Sequence, residues 1–399
     1  MARTVHAQPK FHIATPEQIK GGYVTDAYFV RSKQILDSKK IDKNVKLEIT
    51  LKKRFPEGWE WGIFAGLDEA LELLKDFPLD VWALPEGAYF KVNEPVMLVA
   101  GNYREFSVYE TALLGFLCQA SGVATKAARC KTAAQGRPVW AFGARRMHPA
   151  IAPMIDRAAY IGGCDGVSCV AGAELLGEEP VGTIPHALIM VLEESATATG
   201  FFDQIIDKKV QRVALIDTFG DEKFEALENA ELLGEHIYAV RLDTPSSRRG
   251  DMLEIAREVR WELDIRGYEN IKIFISGGLD EDVIPQLNEV ADAYGVGTAI
   301  SNARVCDFSM DIVEIENNGT WEPIAKRGKP SGAKQLYVCD DCGYRQVVYW
   351  QKPLAQCPQC LGRWEPRLIK YLERGKLLKP LPTPREIRDF VLRQLPDKL

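Results

Sequence analysis

The sequence predicts an α/β protein built on a parallel sheet or a (β/α) barrel. Between residues 211 and 302 a short apolar run, a polar or glycine-rich turn and a helical stretch follow one another four times. Continuous apolar runs are typical of strands buried on both faces, and the amphipathic stretches between them are typical of crossover helices. The four runs are VALID (213–217), IYAVRLD (237–243), IKIFISGG (271–278) and YGVGTAIS (294–301).

Polar and glycine residues follow each of these predicted strands. In parallel α/β folds the residues just beyond the carboxyl ends of the strands bind ligands and carry the chemistry. The candidate site residues at these ends are Asp217, Arg241, Asp243, Ser276, Gly277, Gly278, Gly295 and Gly297.

Changes of pattern divide the chain into four parts. Residues 1–115 mix strand-like pieces with an amphipathic helix and predict an N-terminal α+β domain. Residues 116–305 carry the strand–turn–helix rhythm of a barrel-like catalytic domain. Residues 306–330 predict a hairpin whose strands return to the N-terminal domain, and residues 331–399 predict a cysteine-containing C-terminal module with a terminal helix.

Charge and hydropathy narrow the function classes. The 399 residues have a net charge of −6, so no overall positive charge favours nucleic acid or an anionic membrane. The first residues lack the apolar stretch of a signal peptide, and no run approaches the ~18 apolar residues of a membrane span. We therefore expect a cytoplasmic protein with two or three domains.

Four of the nine cysteines form two CxxC pairs separated by 14 residues, Cys339/Cys342 and Cys357/Cys360. Four thiolates in two such turns can complete a tetrahedral Zn²⁺ site, which leaves no open coordination position and is therefore structural. Redox-active thiols are the alternative. We expect the other five cysteines to be buried free thiols.

Two glycine pairs follow successive predicted strands, Gly277–Gly278 and Gly295/Gly297. Glycine lets backbone N–H groups approach a phosphate, and the late strands of a (β/α) barrel are where such sites recur. Ordinary turn chemistry is the alternative. The spacing matches neither a dinucleotide fingerprint nor a GxxxxGK[ST] phosphate loop.

The charged candidates have equally plain alternatives. Asp217 and Asp243 at strand ends suit Mg²⁺, ribose hydroxyls or a cationic transition state, but an Arg241–Asp243 pair that closes the barrel mouth is possible too. A lone His186 is more often structural than catalytic. Phe142 with Arg145 and Arg146 pairs an aromatic face with planar donors that suit a carboxylate or a phosphate. Lys326, Arg327 and Lys329 form a short basic loop, for which a solvated charge run is the default interpretation.

Eight strings in register resemble the type II phosphoribosyltransferases, specifically nicotinate phosphoribosyltransferases of the archaeal form with a cysteine knuckle. Any one of the strings is weak evidence, but together they span most of the chain in the order of the family. They are TDAYF (25–29), QASGVAT (119–125), AFGARR (141–146), GTIPHA (182–187), LIDTFGD (215–221), VRLDTPS (240–246), ISGGLD (275–280) and GVGTAIS (295–301).

The resemblance implies an incomplete (β/α) barrel and a transfer of phosphoribose from phosphoribosyl pyrophosphate to nicotinate, with Mg²⁺ on the leaving pyrophosphate. It places the 5′-phosphate on the four glycines, the ribose on Arg241 and Asp243, and Asp217 near the reacting carbon. Phe142 would stack on the pyridine ring. Asp26 and Tyr28 would come from a neighbouring subunit, which requires a homo-oligomer of at least two chains. Arg145, with Arg146 beside it, and the Lys326–Lys329 loop would face the carboxylate or pyrophosphate.

His186 matches the family histidine that ATP phosphorylates, and Ser168 matches the position where nicotinamide-using relatives carry an aspartate. A serine hydroxyl can donate to a carboxylate, which favours nicotinate. Quinolinate phosphoribosyltransferase, which releases carbon dioxide, is the nearest alternative. A nucleic-acid-binding zinc protein and a phosphate-binding barrel of other chemistry, such as an aldolase, are more distant ones, and we expect no nucleic-acid partner.

Overall fold

The computed structural model describes residues 11–51, 54–243 and 250–397. The last three residues of the VRLDTPS string lie outside these ranges. The chain divides into two compact units. The first unit combines the chain up to Gly122 with Arg304–Thr383, and the second combines Val123–Ala303 with the chain from Pro384 onward.

The strands of the described residues, numbered in chain order, have the following bounds: β1 Asn44–Leu51, β2 Gly62–Ile63, β3 Asp80–Ala83, β4 Tyr89–Phe90, β5 Pro95–Asn102, β6 Val139–Ala141, β7 Gly166–Val167, β8 Arg212–Leu215, β9 Ile237–Leu242, β10 Lys272–Ser276, β11 Ala293–Val296, β12 Phe308–Asn317, β13 Thr320–Pro323, β14 Lys334–Cys339, β15 Arg345–Tyr349, β16 Trp364–Pro366, β17 Ile369–Glu373 and β18 Lys376–Leu377.

The α-helices of the described residues have the following bounds: α1 Pro16–Lys20, α2 Ala27–Lys39, α3 Leu67–Leu74, α4 Tyr103–Phe106, α5 Glu110–Ala133, α6 Ala152–Ile161, α7 Val170–Leu176, α8 His186–Leu192, α9 Ser195–Ile205, α10 Glu222–Leu233, α11 Met252–Asp264, α12 Ile284–Leu287, α13 Thr298–Ser301 and α14 Pro384–Leu392. In this part of the chain no helix combines the length and the apolar character needed to cross a membrane.

The first unit is built on a seven-stranded antiparallel sheet in the order β13-β12-β1-β5-β3-β17-β18. Strand β1 lies between β12 and β5 in this sheet and is buried at most of its positions. The predicted hairpin is confirmed: β12 pairs with β13, and Asn318 and Gly319 both have positive φ, at 51° and 79°. Such a turn matches the twist of two antiparallel strands.

The second unit contains a six-stranded parallel sheet in the order β7-β6-β11-β10-β9-β8. The four apolar runs between residues 211 and 302 correspond to β8, β9, β10 and β11, as predicted. Val213, Ala239, Phe274 and Ala293 of these strands form one buried cluster. The edge strands β7 and β8 do not pair with each other, so the described sheet is open where a complete barrel would close.

The C-terminal part of the chain is shared between the units. Strands β15-β14-β16 form a separate three-stranded sheet in the first unit, whereas β17 and β18 extend that unit's large sheet. Helix α14 belongs instead to the second unit, where it packs on α6. The sequence predicts residues 331–399 as one module with a terminal helix, but a local helix pattern carries no information about which surface the helix covers.

Candidate functional site

A cavity of about 530 Å³ opens at the carboxyl ends of the parallel sheet in the second unit. Most of the side chains and glycines expected there line it together, because parallel strands bring their carboxyl ends to one edge. The expected residues that line the cavity are Phe142, Arg145, Arg146, Ser168, His186, Arg241, Asp243, Ser276, Gly277, Gly278, Gly295 and Gly297.

Arg241, at the end of β9, organises the polar side of this cavity. Its guanidinium donates to Ser276 Oγ at 2.9 Å, to Thr183 Oγ1 at 2.6 Å and to Asp243 Oδ1 at 2.8 Å. Its Cζ lies 5.2 Å from the centroid of the Phe142 ring. The guanidinium group is planar and rigid, and its N–H groups bond to three partners while its carbon lies over an aromatic ring. The Arg241 side chain therefore has little freedom to move.

Asp243 remains a strong acceptor although it is half-buried. Burial raises the pKa of its carboxyl, but the charge of Arg241 and hydrogen bonds from Ser276 and Arg241 lower it more, so the pKa lies below the ordinary value. The Ser276 hydroxyl donates to Asp243 Oδ1 at 2.7 Å. The group is therefore ionised at neutral pH and available to hydroxyl donors or a cation.

Asp217 follows β8, is not among the residues that line the cavity, and has only 3% of its side chain exposed. Its Oδ2 accepts a hydrogen bond from the backbone N–H of Asp243 at 2.6 Å. The two aspartates therefore lie side by side at the ends of the neighbouring strands β8 and β9. Such a pair is suited to hold a divalent cation or to stabilise positive charge on a reacting carbon.

His186 is the first residue of α8, and its ring lies near both carboxylates. Its Nε2 lies 3.6 Å from Asp217 Oδ1 and 3.6 Å from Asp243 Oδ2, and it makes no hydrogen bond with a described residue. Its Nδ1 lies 3.0 Å from Thr218 Oγ1. The ring is therefore held by one edge while the other edge faces the acidic pair, an arrangement that suits reversible modification or proton transfer.

Phe142 follows β6 and packs against a glycine. A Cβ at Gly295 would lie 2.7 Å from Phe142 Cδ2 and 2.7 Å from its Cε2, so any larger residue would displace the ring. The ring also meets Phe274 edge-on, with centroids 5.8 Å apart. Gly295 thus makes room for the aromatic ring, a role that its sequence context, which predicts a phosphate-binding turn, does not indicate.

The Gly277–Gly278 turn follows β10 and has positive φ at both residues, 87° and 69°. Positive φ favours glycine at both positions, and a glycine turn leaves room for a ligand to approach the backbone N–H groups. A Cβ at Gly278 would meet nothing within 4 Å, so space alone does not exclude a side chain there. The positive φ of Gly278 nevertheless disfavours a side chain there, and a two-glycine turn at a strand end is consistent with an anion-binding site.

Arg145 and Arg146 lie in a short 3₁₀ turn after Phe142 and are exposed. Neither makes an ion pair with a described residue. Ser168 follows β7, is half-buried, and lines the same cavity. The cavity therefore offers two free guanidinium groups and a neutral hydroxyl as donors for an anionic ligand.

Two threonines were missed by sequence reasoning. Thr183 accepts from Arg241, 58 positions away, and Thr218 contacts His186, 32 positions away. Both lie inside the strings GTIPHA and LIDTFGD, so membership in those strings was the available signal. The side-chain type itself gave no signal, since threonines next to turns are common.

The remaining expected substrate residues belong to the first unit. Tyr28 and Lys326 line one cavity of about 600 Å³ there. Tyr28 Oη donates to Asp26 Oδ2 at 3.3 Å, and Asp26 also accepts from Thr111 at 2.9 Å. Lys326 and Lys329 both pair with the buried Asp311, at 2.5 and 3.4 Å. Asp311 was not singled out from sequence.

The four cysteines of the CxxC pairs converge in the first unit. Their sulfur atoms all lie within 4.8 Å of one another, with Cys339–Cys360 at 3.4 Å and Cys342–Cys357 at 3.7 Å. Tetrahedral thiolates at ~2.3 Å from a metal would be about 3.8 Å apart. The cluster therefore has the geometry to bind a metal ion.

The fold and the site together are typical of α/β enzymes that bind their ligands at the carboxyl ends of a parallel sheet. Two family models match the chain: the N-terminal domain of quinolinate phosphoribosyl transferase over residues 26–121, and its C-terminal domain over residues 123–311. The chain belongs to this family of phosphoribosyltransferases, which makes it a transferase of NAD biosynthesis.

Individual relatives agree with this assignment. The chain is 28% identical to nicotinate phosphoribosyltransferase pncB2 of Mycobacterium tuberculosis, over 94% of this chain and 87% of that one. The crystal structure of nicotinate-nucleotide pyrophosphorylase from Pyrococcus furiosus is 52% identical, with a TM-score of 0.94 over 97% of this chain and 98% of that one. Human nicotinic acid phosphoribosyltransferase shares the fold, at 20% identity and a TM-score of 0.73 over 94% of each chain.

Proposed function

We propose that the protein joins nicotinate to phosphoribosyl pyrophosphate and forms nicotinate mononucleotide. The observation that carries this proposal is that the Phe142 ring and the Ser168 hydroxyl line the same cavity as the exposed cations of Arg145 and Arg146. An aromatic acid needs a ring to stack on and donors for its carboxylate, and a serine adds no negative charge that would repel it. The names of the mycobacterial and human relatives support the same substrate.

The proposed reaction asks the protein mainly for orientation and charge. The pyridine nitrogen already has a lone pair, so no base is required, and the anomeric carbon gains positive charge as pyrophosphate leaves. Asp217 and Asp243 would face that carbon and the ribose hydroxyls. Arg241 would hold Asp243 in place, and the Gly277–Gly278 turn, with Gly297 nearby, would receive the 5′-phosphate.

We assign Mg²⁺ and ATP roles that suit the same residues. The carboxylate oxygens of Asp217 and Asp243 are the hard donors that Mg²⁺ prefers, and the ion would supply charge to the leaving pyrophosphate. His186 would be phosphorylated by ATP, since its Nε2 faces the acidic pair and has no hydrogen-bond partner among the described residues. Loss of this phosphate would couple ATP hydrolysis to product formation.

We further assign part of the substrate site to a second copy of the chain. Asp26 and Tyr28 stand at the start of α2, and Tyr28 is 57% exposed. An aromatic ring with a carboxylate beside it suits a pyridine and a ribose. The proposal requires a homo-oligomer of at least two chains, in which each chain completes its neighbour's site.

Zn²⁺ is the metal we assign to the four-cysteine cluster. Four soft ligands at tetrahedral spacing suit Zn²⁺, and with all four positions taken by protein the ion would stabilise the fold without entering the reaction. The metal would join two turns, one after β14 and one before β16.

One assay tests the function. The protein is incubated with phosphoribosyl pyrophosphate, Mg²⁺ and each of nicotinate, quinolinate and nicotinamide, with and without ATP. We expect nicotinate mononucleotide from nicotinate, with faster turnover in the presence of ATP. Release of carbon dioxide from quinolinate at a higher kcat/KM would favour the alternative named by the family models and refute the nicotinate assignment.

A further inference from the structure

A buried carboxylate of the second unit has no role in the site described so far. Asp156, in the middle of α6, is 1% exposed and does not line the cavity. It makes no ion pair with a described residue. A carboxylate buried without a cation lowers stability, so its presence needs a reason other than stability.

The contact that Asp156 makes lies one residue from the cavity. Its Oδ2 accepts a hydrogen bond from the backbone N–H of Cys169 at 3.1 Å. Cys169 follows Ser168, whose own N–H donates to the carbonyl of Ala141 at 3.2 Å. Ser168 is therefore held between two anchors, one at the end of β6 and the other the carboxylate of α6.

The packing of α7 keeps this contact short. A Cβ at Gly172 would lie 2.7 Å from Asp156 Oδ2 and 2.8 Å from its Cβ. Glycine at 172 thus allows the first turn of α7 to rest directly on the carboxylate. The hydrogen bond and the close approach are independent observations, and both place Asp156 under the segment that carries Ser168.

We propose that Asp156 is a positioning residue that sets the place of Ser168 in the cavity and thereby the affinity for the pyridine substrate. The inference rests on the proposed function, in which Ser168 donates to the substrate carboxylate. Removing the acceptor would leave the Cys169 N–H without its partner, and the turn would shift to satisfy it. The phosphate and ribose contacts lie on other strands, so binding of phosphoribosyl pyrophosphate would be unaffected.

The test compares steady-state kinetics of purified full-length variants. Asp156→Ala should raise KM for the pyridine substrate about tenfold, as expected for loss of one charge-assisted hydrogen bond, and leave KM for phosphoribosyl pyrophosphate unchanged. Asp156→Asn, which keeps an acceptor oxygen, should recover most of the affinity. Gly172→Ala, which pushes the carboxylate away from Cys169, should reproduce the Asp156→Ala effect with Asp156 present.

Asp203→Asn is the matched control, since Asp203 pairs with Arg212 in the same unit and does not line the cavity. It should lower the melting temperature without changing KM.

The inference is overturned if folded Asp156→Ala keeps KM for the pyridine within twofold, or if both substrates lose affinity equally. If Asp156→Ala does not fold, Gly172→Ala decides by the same criteria. If the wild type turns over quinolinate instead of nicotinate, the proposed function is refuted. The role of Asp156 is still tested in that case, because KM is then compared for quinolinate.

Discussion

The backbone N–H of Asp243 donates a 2.6 Å hydrogen bond to Oδ2 of Asp217. This bond ties the carboxyl ends of β8 and β9 together and brings both carboxylates within 3.6 Å of His186 Nε2. Structure and chemistry therefore depend on different atoms of one side chain: one oxygen of Asp217 holds the backbone, and the other faces the histidine.

This division predicts the result of an isosteric change at Asp217. Asp217→Asn keeps an oxygen for the Asp243 N–H but loses the charge, so we expect kcat to fall about 100-fold or more while the melting temperature changes little. Nucleotide formation and thermal unfolding measure the two effects. Asp207→Asn, an exposed carboxylate of the same unit, should keep wild-type kcat, and an active Asp217→Asn would contradict the assigned role.

The histidine gives a second prediction. His186→Asn should abolish the dependence of product formation on ATP and leave a slower basal reaction, because the phosphorylated nitrogen is gone while Asp217 and Asp243 remain. The measurement is the ratio of ADP to nucleotide formed. His236→Asn, at an exposed position, serves as the control. An unchanged ratio in His186→Asn would rule out the phosphohistidine.

Gly295 predicts how the aromatic ring is seated. Gly295→Ala places a methyl group 2.7 Å from two carbons of Phe142, so the ring must move, and KM for nicotinate should rise at least about tenfold. Gly200→Ala adds the same methyl group to α9, where it meets Leu232 at an ordinary 3.6 Å. That variant should bind nicotinate like the wild type. Equal KM values for both variants would show that the ring does not contact substrate.

The cysteine cluster predicts a bound metal. Elemental analysis of the purified chain should find one Zn²⁺ per chain, and Cys342→Ser should lower the zinc content and the melting temperature together. Because the cluster is assigned a structural role, kcat well below the melting temperature should stay near the wild-type value. Full zinc occupancy in Cys342→Ser would contradict the assignment, and a Cys118→Ser variant controls for loss of an unrelated thiol.

Asp156 predicts a pH dependence of stability. Burial raises the pKa of this carboxyl from 3.8 to about 6, only partly opposed by the hydrogen bond from Cys169. Because the folded-state pKa lies above the unfolded one, the stabilising contribution is complete below pH 3.8 and is lost as the pH rises through 6. Relative to Asp156→Asn, the wild type should lose at most about 3 kcal/mol of unfolding free energy between pH 4 and pH 7. Denaturant unfolding at several pH values measures it, and a constant difference would contradict the shift.

Local patterns predicted much of the fold. Continuous apolar runs predicted the strands β8 to β11, and the pattern of residues 306–330 predicted the β12–β13 hairpin. These signals work because hydrophobic period and turn chemistry are properties of a few neighbouring residues. The shared edge of the parallel strands then placed Arg241, Asp243 and Ser276 in one cavity.

The amino-acid pattern is enough to predict the parallel sheet, the set of side chains at its carboxyl edge, the two CxxC pairs and the phosphoribosyltransferase resemblance. The tertiary structure alone decided which atoms meet: Thr218 with His186, Thr183 with Arg241, and Asp156 beneath Ser168. It also decided that Gly295 seats Phe142 and that Lys329 faces Asp311. These contacts join residues on different elements, and their geometry follows from close packing of whole helices and strands, which no local pattern encodes.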